Sequence, residues 1–317
     1  MRRPTRFRNA AVPAAAALVA LLLGACSGAA STAAPAGPGQ VDDSRLRLVT
    51  TYSIVYDLVR QVAGDRAVVT SLVPVGQDPH TYEPKPGDLQ AVAEADAVFY
   101  HGLNLELWFD RFIQNAGGRR PVYVVTEGIE PLRVEAGAYR GLPDPHAWMD
   151  PRLVTRYVEN IRDALSELDP GGAETYRANA AAYVEELEEL DAWIRDQVER
   201  IPPQHRKLVT SENAFRYFAR AYGFEILGFI YNLAPEDEPS ARHISELIDA
   251  IREADLPAVF VETTLDPRIL QRIADETGAA IGGAVYVDSL GPEGSEADTY
   301  IKMMRANVTR FVEGLGG

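Results

Sequence analysis

Residues 173–201 contain neither proline nor glycine, and within them Tyr176, Ala180, Tyr183, Leu187, Leu190, Ile194, Val198 and Ile201 recur every three or four positions. That spacing keeps the apolar groups on one face of a helix, while Glu185, Glu186, Glu188, Glu189 and Asp191 occupy the others. At 1.5 Å per residue the helix spans on the order of 40 Å. Pro170-Gly171-Gly172 separates it from the helical pattern before it, and Pro202-Pro203 stops it. A rod of this length in mid-chain serves either as one strand of a coiled-coil dimer or as a strut between two bodies. About four heptads with weak core residues are poor material for a coiled coil. The strut, in a monomer, is the expected arrangement.

On either side of the rod, extended and helical patterns alternate. Before it, residues 46–50, 67–73, 97–100 and 122–125 read as strands and 53–62, 88–94 and 105–114 as helices, with Gly64, Pro74 and Gly76 as stops. Asp150 occupies an N-cap position and Pro151 the first helical position of a helix whose inner face carries Leu153, Tyr157, Ile161, Leu165 and Leu168. After the rod, residues 207–210, 224–230, 258–261 and 284–287 read as strands, and 214–221, 242–253, 267–277 and 297–311 as helices. Such alternation indicates parallel sheets covered by helices. The expected fold is therefore α/β, with two lobes, each a parallel sheet flanked by helices, joined by one long rigid helix. The boundaries fall at 44–170 for the first lobe, 171–203 for the connecting helix and 204–317 for the second lobe.

The first 43 residues are of another kind. Arg2, Arg3, Arg6 and Arg8 precede an apolar run, residues 10–23, that is shorter than the roughly 20 residues a bilayer span requires. Residues 1–25 thus read as an export signal, and Leu23-Gly24-Ala25-Cys26 resembles a bacterial lipobox, in which cleavage leaves Cys26 for lipidation. Residues 26–43, rich in Ser, Ala, Gly and Pro, form a flexible tether. Cys26 is the single cysteine, which rules out an intramolecular disulfide or a thiolate metal site. The net charge of −15, to which the early arginines contribute nothing negative, speaks against nucleic acid as a partner and favours cations nearby.

Two of the five histidines follow a proline, in Asp78-Pro79-His80-Thr81-Tyr82-Glu83-Pro84 and in Asp144-Pro145-His146-Ala147-Trp148-Met149-Asp150-Pro151. Proline fixes its own φ and drives the preceding residue out of helical geometry, so each imidazole is rigidly presented. Rigid presentation suits a metal ligand. In open α/β sheets ligands gather beyond the carboxyl ends of strands, which is where His80, Glu212 and Asp288 fall in the pattern, while His146 lies in the loop before the Asp150 helix. Two neutral imidazoles and two carboxylates would balance a divalent cation and offer four to about six donors, a mix that suits Mn²⁺ or Fe²⁺ and admits Zn²⁺. Taken singly, Glu212 and Asp288 read more readily as a helix cap or surface acid than as ligands. Asp78 and Asp144 either hold the imidazoles in place or simply shape turns. His101, His205 and His243 lack the Pro-His context and read as structural or exposed.

At these residues the chain resembles the solute-binding lipoproteins of bacterial ABC importers for manganese, zinc and iron. The resemblance runs from the lipobox to the last helix and is carried by the two Pro-His motifs, by Thr210-Ser211-Glu212-Asn213-Ala214-Phe215-Arg216-Tyr217-Phe218 and by Val287-Asp288-Ser289-Leu290. It implies one metal between the lobes, with His80, His146, Glu212 and Asp288 as ligands. It implies as partners a membrane permease and its ATPase, and an extracytoplasmic location with a lipid anchor on Cys26. Glutamate in the third ligand position is associated with manganese or iron, and residues 125–143 lack the histidine-rich loop of many zinc carriers. Asn213 stands where glycine is common, which leaves the backbone conformation there open.

The expected function is capture of a divalent metal and its delivery to the permease, without catalysis. A zinc-specific carrier, a surface adhesin and a metallohydrolase are the alternatives. No His-Glu-x-x-His helix and no Gly-x-Ser-x-Gly elbow accompany the ligands.

Overall fold

The computed structural model describes residues 45–135, 140–232 and 239–316. The export signal, the tether and Cys26 lie outside the described residues. Among the described residues, no helix is long and apolar enough to cross a membrane.

The first half contains strands β1 (Leu46–Thr50), β2 (Ala67–Ser71), β3 (Ala97–Tyr100) and β4 (Val122–Val124), and helices α1 (Ser53–Ala63), α2 (Pro86–Glu94) and α3 (Phe109–Ala116). The strands pair in parallel in the order β2-β1-β3-β4. Helix α4 (Pro151–Leu168) and the long helix α5 (Ala173–Glu199) follow. The second half contains β5 (Lys207–Glu212), α6 (Arg216–Tyr222), β6 (Glu225–Tyr231), α7 (Ala241–Glu253), β7 (Ala258–Glu262), α8 (Arg268–Thr277), β8 (Ala280–Val285) and α9 (Tyr300–Leu315). Its parallel sheet has the order β6-β5-β7-β8, so the two sheets repeat one topology.

In each sheet the chain winds to one side of the first strand and then crosses to the other. The switch point lies between β1 and β3 in one sheet and between β5 and β7 in the other, and it is beyond the carboxyl ends at such points that ligands gather in open α/β sheets.

Helix α5 forms because alanine, leucine and glutamate are strong helix formers and nothing inside it breaks the backbone pattern. Its inner face, Tyr176, Ala180, Tyr183, Leu187, Leu190, Ile194 and Val198, is buried, and the helix packs against α1, α4 and α9. Each large apolar side chain removed from water contributes about 1.5–3 kcal/mol. With that face consumed inside the chain, no coiled-coil seam is left over. At the head of α4 the Asp150 carboxylate accepts the Arg152 N–H and Pro151 fills the first turn, as the sequence indicates.

Several boundaries differ from the sequence expectation. Strand β5 runs through Glu212 itself, and β7 runs one residue further to Glu262. The strand expected at 284–287 starts and ends earlier: β8 spans Ala280–Val285, sharing Ala284 and Val285 with the expectation, and Asp288 lies in the loop beyond it. Gly282 and Gly283 hid that strand because they carry no side chain to mark the period. Gly282 is required by packing, since a Cβ there would lie 2.4 Å from the Phe260 ring. Helix α3 starts at Phe109 rather than 105, because Leu103 and Asn104 adopt positive φ and the Glu106 carboxylate accepts the N–H groups of His101 and Gly102. Asn213 is absent from the positive-φ residues, and its N–H donates to the Tyr231 carbonyl at 3.0 Å. No glycine-only conformation is needed there.

Candidate metal centre

Four side chains converge where the two halves meet. One ligand atom from each of His80, His146, Glu212 and Asp288 lies within 4.8 Å of all the others. His146 Nε2 is 3.4 Å from Glu212 Oε1 and 3.6 Å from Asp288 Oδ1, and His80 Nε2 is 3.8 Å from Glu212 Oε1. A cation with bonds of about 2.1 Å in tetrahedral geometry holds its donors roughly 3.4 Å apart. The measured spacings fit a single ion at the common centre.

His146, Glu212 and Asp288 are buried, and His80 alone is partly exposed. The two Nε2 atoms and all four carboxylate oxygens are buried and find no hydrogen-bond partner outside the cluster. Buried polar atoms are ordinarily paired, and six unpaired acceptor positions at one point mark a place for a ligand that accepts lone pairs. A divalent cation meets that description.

The His146 side chain is held from behind, and the backbone carrying His80 and Asp288 is pinned nearby. Asp144 Oδ1 accepts both the His146 backbone N–H at 3.1 Å and Nδ1 at 2.9 Å, which fixes the tautomer and leaves the Nε2 lone pair facing the cluster. The Tyr217 hydroxyl donates to the Asp144 carbonyl, and His101 Nε2 lies 2.8 Å from the Pro145 carbonyl. Asp78 plays the other of the two roles open to it: its carboxylate accepts the His80 backbone N–H and the Thr81 hydroxyl, shaping the turn and leaving the imidazole alone. Trp148 Nε1 donates to the Val287 carbonyl, one residue before Asp288, and the Asn307 side chain pairs with both backbone groups of Tyr286. Ser289 Oγ accepts the Gly76 N–H at 2.7 Å, tying the His80 loop to the Asp288 loop. His101, His205 and His243 stay outside the cluster, each bonded to a backbone carbonyl.

Electrostatics describe a site that resists being empty and fully ionised. Burial, then the neighbouring Glu262, pushes the Glu212 carboxyl well above its usual range. Burial and Glu212 do the same to Asp288. Burial and the nearby His146 carry His80 well below the ordinary imidazole value. For His146 burial opposes the charge, yet Asp144, Asp288 and Glu262 together carry its pKa above the ordinary value. Glu262, buried at the end of β7 and pushed by burial to about 7, is the residue that sequence reasoning missed. A glutamate closing an otherwise wholly apolar strand was the available signal.

Replacing Asp144 with alanine should lower divalent-metal affinity about 10- to 100-fold, the usual cost of losing a carboxylate behind a ligating histidine. Competition titration against a chelator measures it, and wild-type affinity would contradict the role.

Two parallel sheets with one shared topology, a rigid helix across them and a closed set of nitrogen and oxygen donors between define a two-lobed binding protein suited to a small cation. The comparisons with known proteins agree with that class. Residues 48–314 match the family model described as ZnuA, zinc-uptake complex component A, periplasmic, and the chain belongs to this family. It is 47% identical over 274 residues to the manganese-binding lipoprotein MntA of Halalkalibacterium halodurans, covering 86% of this chain and 90% of that one. It is 41% identical over 303 residues to the iron-binding protein YfeA of Yersinia pestis, covering 95% and 96%. Among solved structures, the periplasmic zinc-binding protein TroA from Treponema pallidum superposes with a TM-score of 0.80 at 30% identity, covering 86% of this chain and 99% of that one. The Mn-bound periplasmic metal-binding protein of Candidatus Liberibacter asiaticus superposes with a TM-score of 0.75 at 32% identity, covering 84% and 98%.

Proposed function

We propose that this protein is the extracytoplasmic solute-binding component of an ABC importer, that it captures a divalent transition metal through His80, His146, Glu212 and Asp288, and that it delivers the metal to a membrane permease powered by its ATPase. One observation carries the reading: the buried ligand atoms of those four residues lie within 4.8 Å of one another and lack partners outside the cluster. Two imidazoles and two carboxylates neutralise a divalent ion, and bidentate carboxylates raise the donor count towards the six that manganese and iron accept. Four protein ligands, two of them able to bind through both oxygens, leave little room for a hydrolytic water, which favours carriage over catalysis. The protein acts as a monomer, and Cys26 would carry the lipid anchor that holds it at the membrane.

Manganese or iron is the favoured cargo. Glu212 in the third position and the names of the manganese- and iron-binding relatives support this. Zinc is the second reading, supported by the family description and by the treponemal neighbour. Anaerobic competition titrations with Mn²⁺, Fe²⁺ and Zn²⁺ on metal-stripped protein decide between them. Tight one-to-one binding of manganese or iron is expected, and binding of zinc alone would reassign the cargo.

The pKa directions fix the sign of the pH dependence. In the metal-free protein Glu212, Asp288 and His146 hold protons to higher pH than usual, and all three must lose them to bind a cation. His80, lowered, is already neutral and contributes nothing near pH 7. Binding therefore releases protons, and affinity should fall as pH drops from 8 towards 5. Calorimetry in buffers of different ionisation enthalpy reads the released protons directly, and a flat affinity over that interval would contradict the assignment.

A further inference from the structure

Backbone pairing between β5 and β7 is registered at one position, Thr210 opposite Phe260. Beyond it the strands part, and the Glu212 N–H would be left buried without a partner. Glu262, the last residue of β7 and only 2% exposed, fills the gap: its Oε1 accepts the Glu212 N–H at 2.6 Å. In return the Ser211 hydroxyl oxygen accepts the Glu262 N–H at 3.3 Å. On the other side Glu212 is in register with Tyr231 of β6, and Thr210 Oγ1 donates to the Glu212 carbonyl at 2.5 Å. The second carboxylate oxygen of Glu262, Oε2, is buried without a hydrogen-bond partner.

Resting on the metal-capture reading, we infer that Glu262 is a positioning residue for the metal site: its side chain replaces a missing ladder hydrogen bond and thereby sets where the Glu212 carboxylate is aimed. At the switch point the ladder holds the end of β5 on the β6 side, while on the β7 side backbone register stops at Thr210 and Phe260. A donor set must be held within about 0.5 Å and 10–20° to work, and a strand end held by its ladder on one side only is a looser mount than one held on both. A glutamate reaching across from the neighbouring strand supplies the second side. Glu262 does not itself belong to the group of four donors.

Two substitutions separate position from charge. Glu262→Gln keeps a carbonyl oxygen at the length needed to accept the Glu212 N–H and removes the charge. Glu262→Asp keeps the charge and falls one methylene short. The inference expects Glu262→Asp to lose about 10- to 100-fold in Mn²⁺ affinity, the range for residues that orient metal ligands, and to alter the zero-field splitting of bound Mn²⁺. Glu262→Gln should retain both near wild type. In the metal-free protein, amide exchange over residues 208–213 should quicken in Glu262→Asp and stay unchanged in Glu262→Gln. If Glu262→Asp does not fold, Glu262→Met, of similar length and without an acceptor, carries the same expectations. Loss in Glu262→Gln with retention in Glu262→Asp would assign the effect to charge and overturn the inference, as would equal behaviour of both variants. Wild-type protein that binds no Mn²⁺, Fe²⁺ or Zn²⁺ would remove the metal-capture reading instead, and the exchange measurement would still report on the clamp.

Discussion

Glu212→Ala should abolish tight metal binding while leaving the metal-free protein as stable as wild type, or more so. Glu212 supplies two of the six unpaired acceptor positions at the centre and stands within 3.8 Å of both imidazole Nε2 atoms. Without it, three protein ligands remain and the donor set carries one negative charge against a divalent ion. The loss should exceed the roughly 100-fold upper range for residues that merely orient a ligand. Stability should move the other way. Burial and the charges of Glu262, Asp78 and Asp144 all oppose ionisation of Glu212, so in the empty protein this carboxyl is a cost and its removal relieves that cost. The measurements are a chelator competition for Mn²⁺ and a thermal melt with and without metal. The upward shift that excess metal gives the wild type should vanish, since ligand-linked stabilisation follows RT ln(1 + [L]/Kd). Retention of wild-type Mn²⁺ affinity would exclude Glu212 as a ligand.

The elements that frame this centre differ in how plainly the sequence announces them. The long helix declared itself through an unbroken three-and-four spacing, and α4 through Asp150-Pro151, because local rules decide both. The Pro-His motifs were readable for the same reason: proline restricts the backbone whatever surrounds it. Asp78 and Asp144 occupy identical motif positions and both accept the backbone N–H of the histidine two residues on, but Asp144 alone also holds the imidazole. That distinction depends on how far each ring swings in three dimensions. Strand β8 was misplaced because Gly282 lets the Phe260 ring approach and Gly283 takes a φ of +119° beside Arg310, tertiary requirements with no local signature. Glu262 was overlooked because a lone acid at a strand end resembles a surface residue until the neighbouring strand is known. Convergence of four donors from loops and strand ends far apart in the chain belongs to the same category. Sequence supplied the chemistry of each donor, and topology supplied their meeting.

Trp148→Ala should be the most destabilising single change near the site. Its side chain is fully buried and among the largest in the core. The indole lies 4.9 Å from the His101 ring, 5.1 Å from His146 and 5.6 Å from Tyr52, between centroids, and its Nε1 donates to the Val287 carbonyl at 3.1 Å. Its own carbonyl accepts the Tyr300 hydroxyl at 2.6 Å. One residue thus joins the ends of β1 and β3, the His146 loop, the Asp288 loop and α9. Truncating a buried tryptophan costs about 3–5 kcal/mol, since the cavity left behind cannot fully collapse. For a chain of this size each kcal/mol lowers the melting temperature by about 2–4 °C, so a drop of roughly 10 °C is expected. Metal affinity should fall as well, because His146 and Asp288 lose a shared wall. Trp148→Phe separates the two contributions: it keeps most of the aromatic volume and loses the N–H, at a cost of about 1–3 kcal/mol for the carbonyl left unpaired. If Trp148→Ala melts with the wild type, the two halves are not joined through this side chain. If it melts early yet binds Mn²⁺ with wild-type affinity, the donors keep their geometry without the indole, and the backing supplied by Asp144 and Glu262 suffices to aim them.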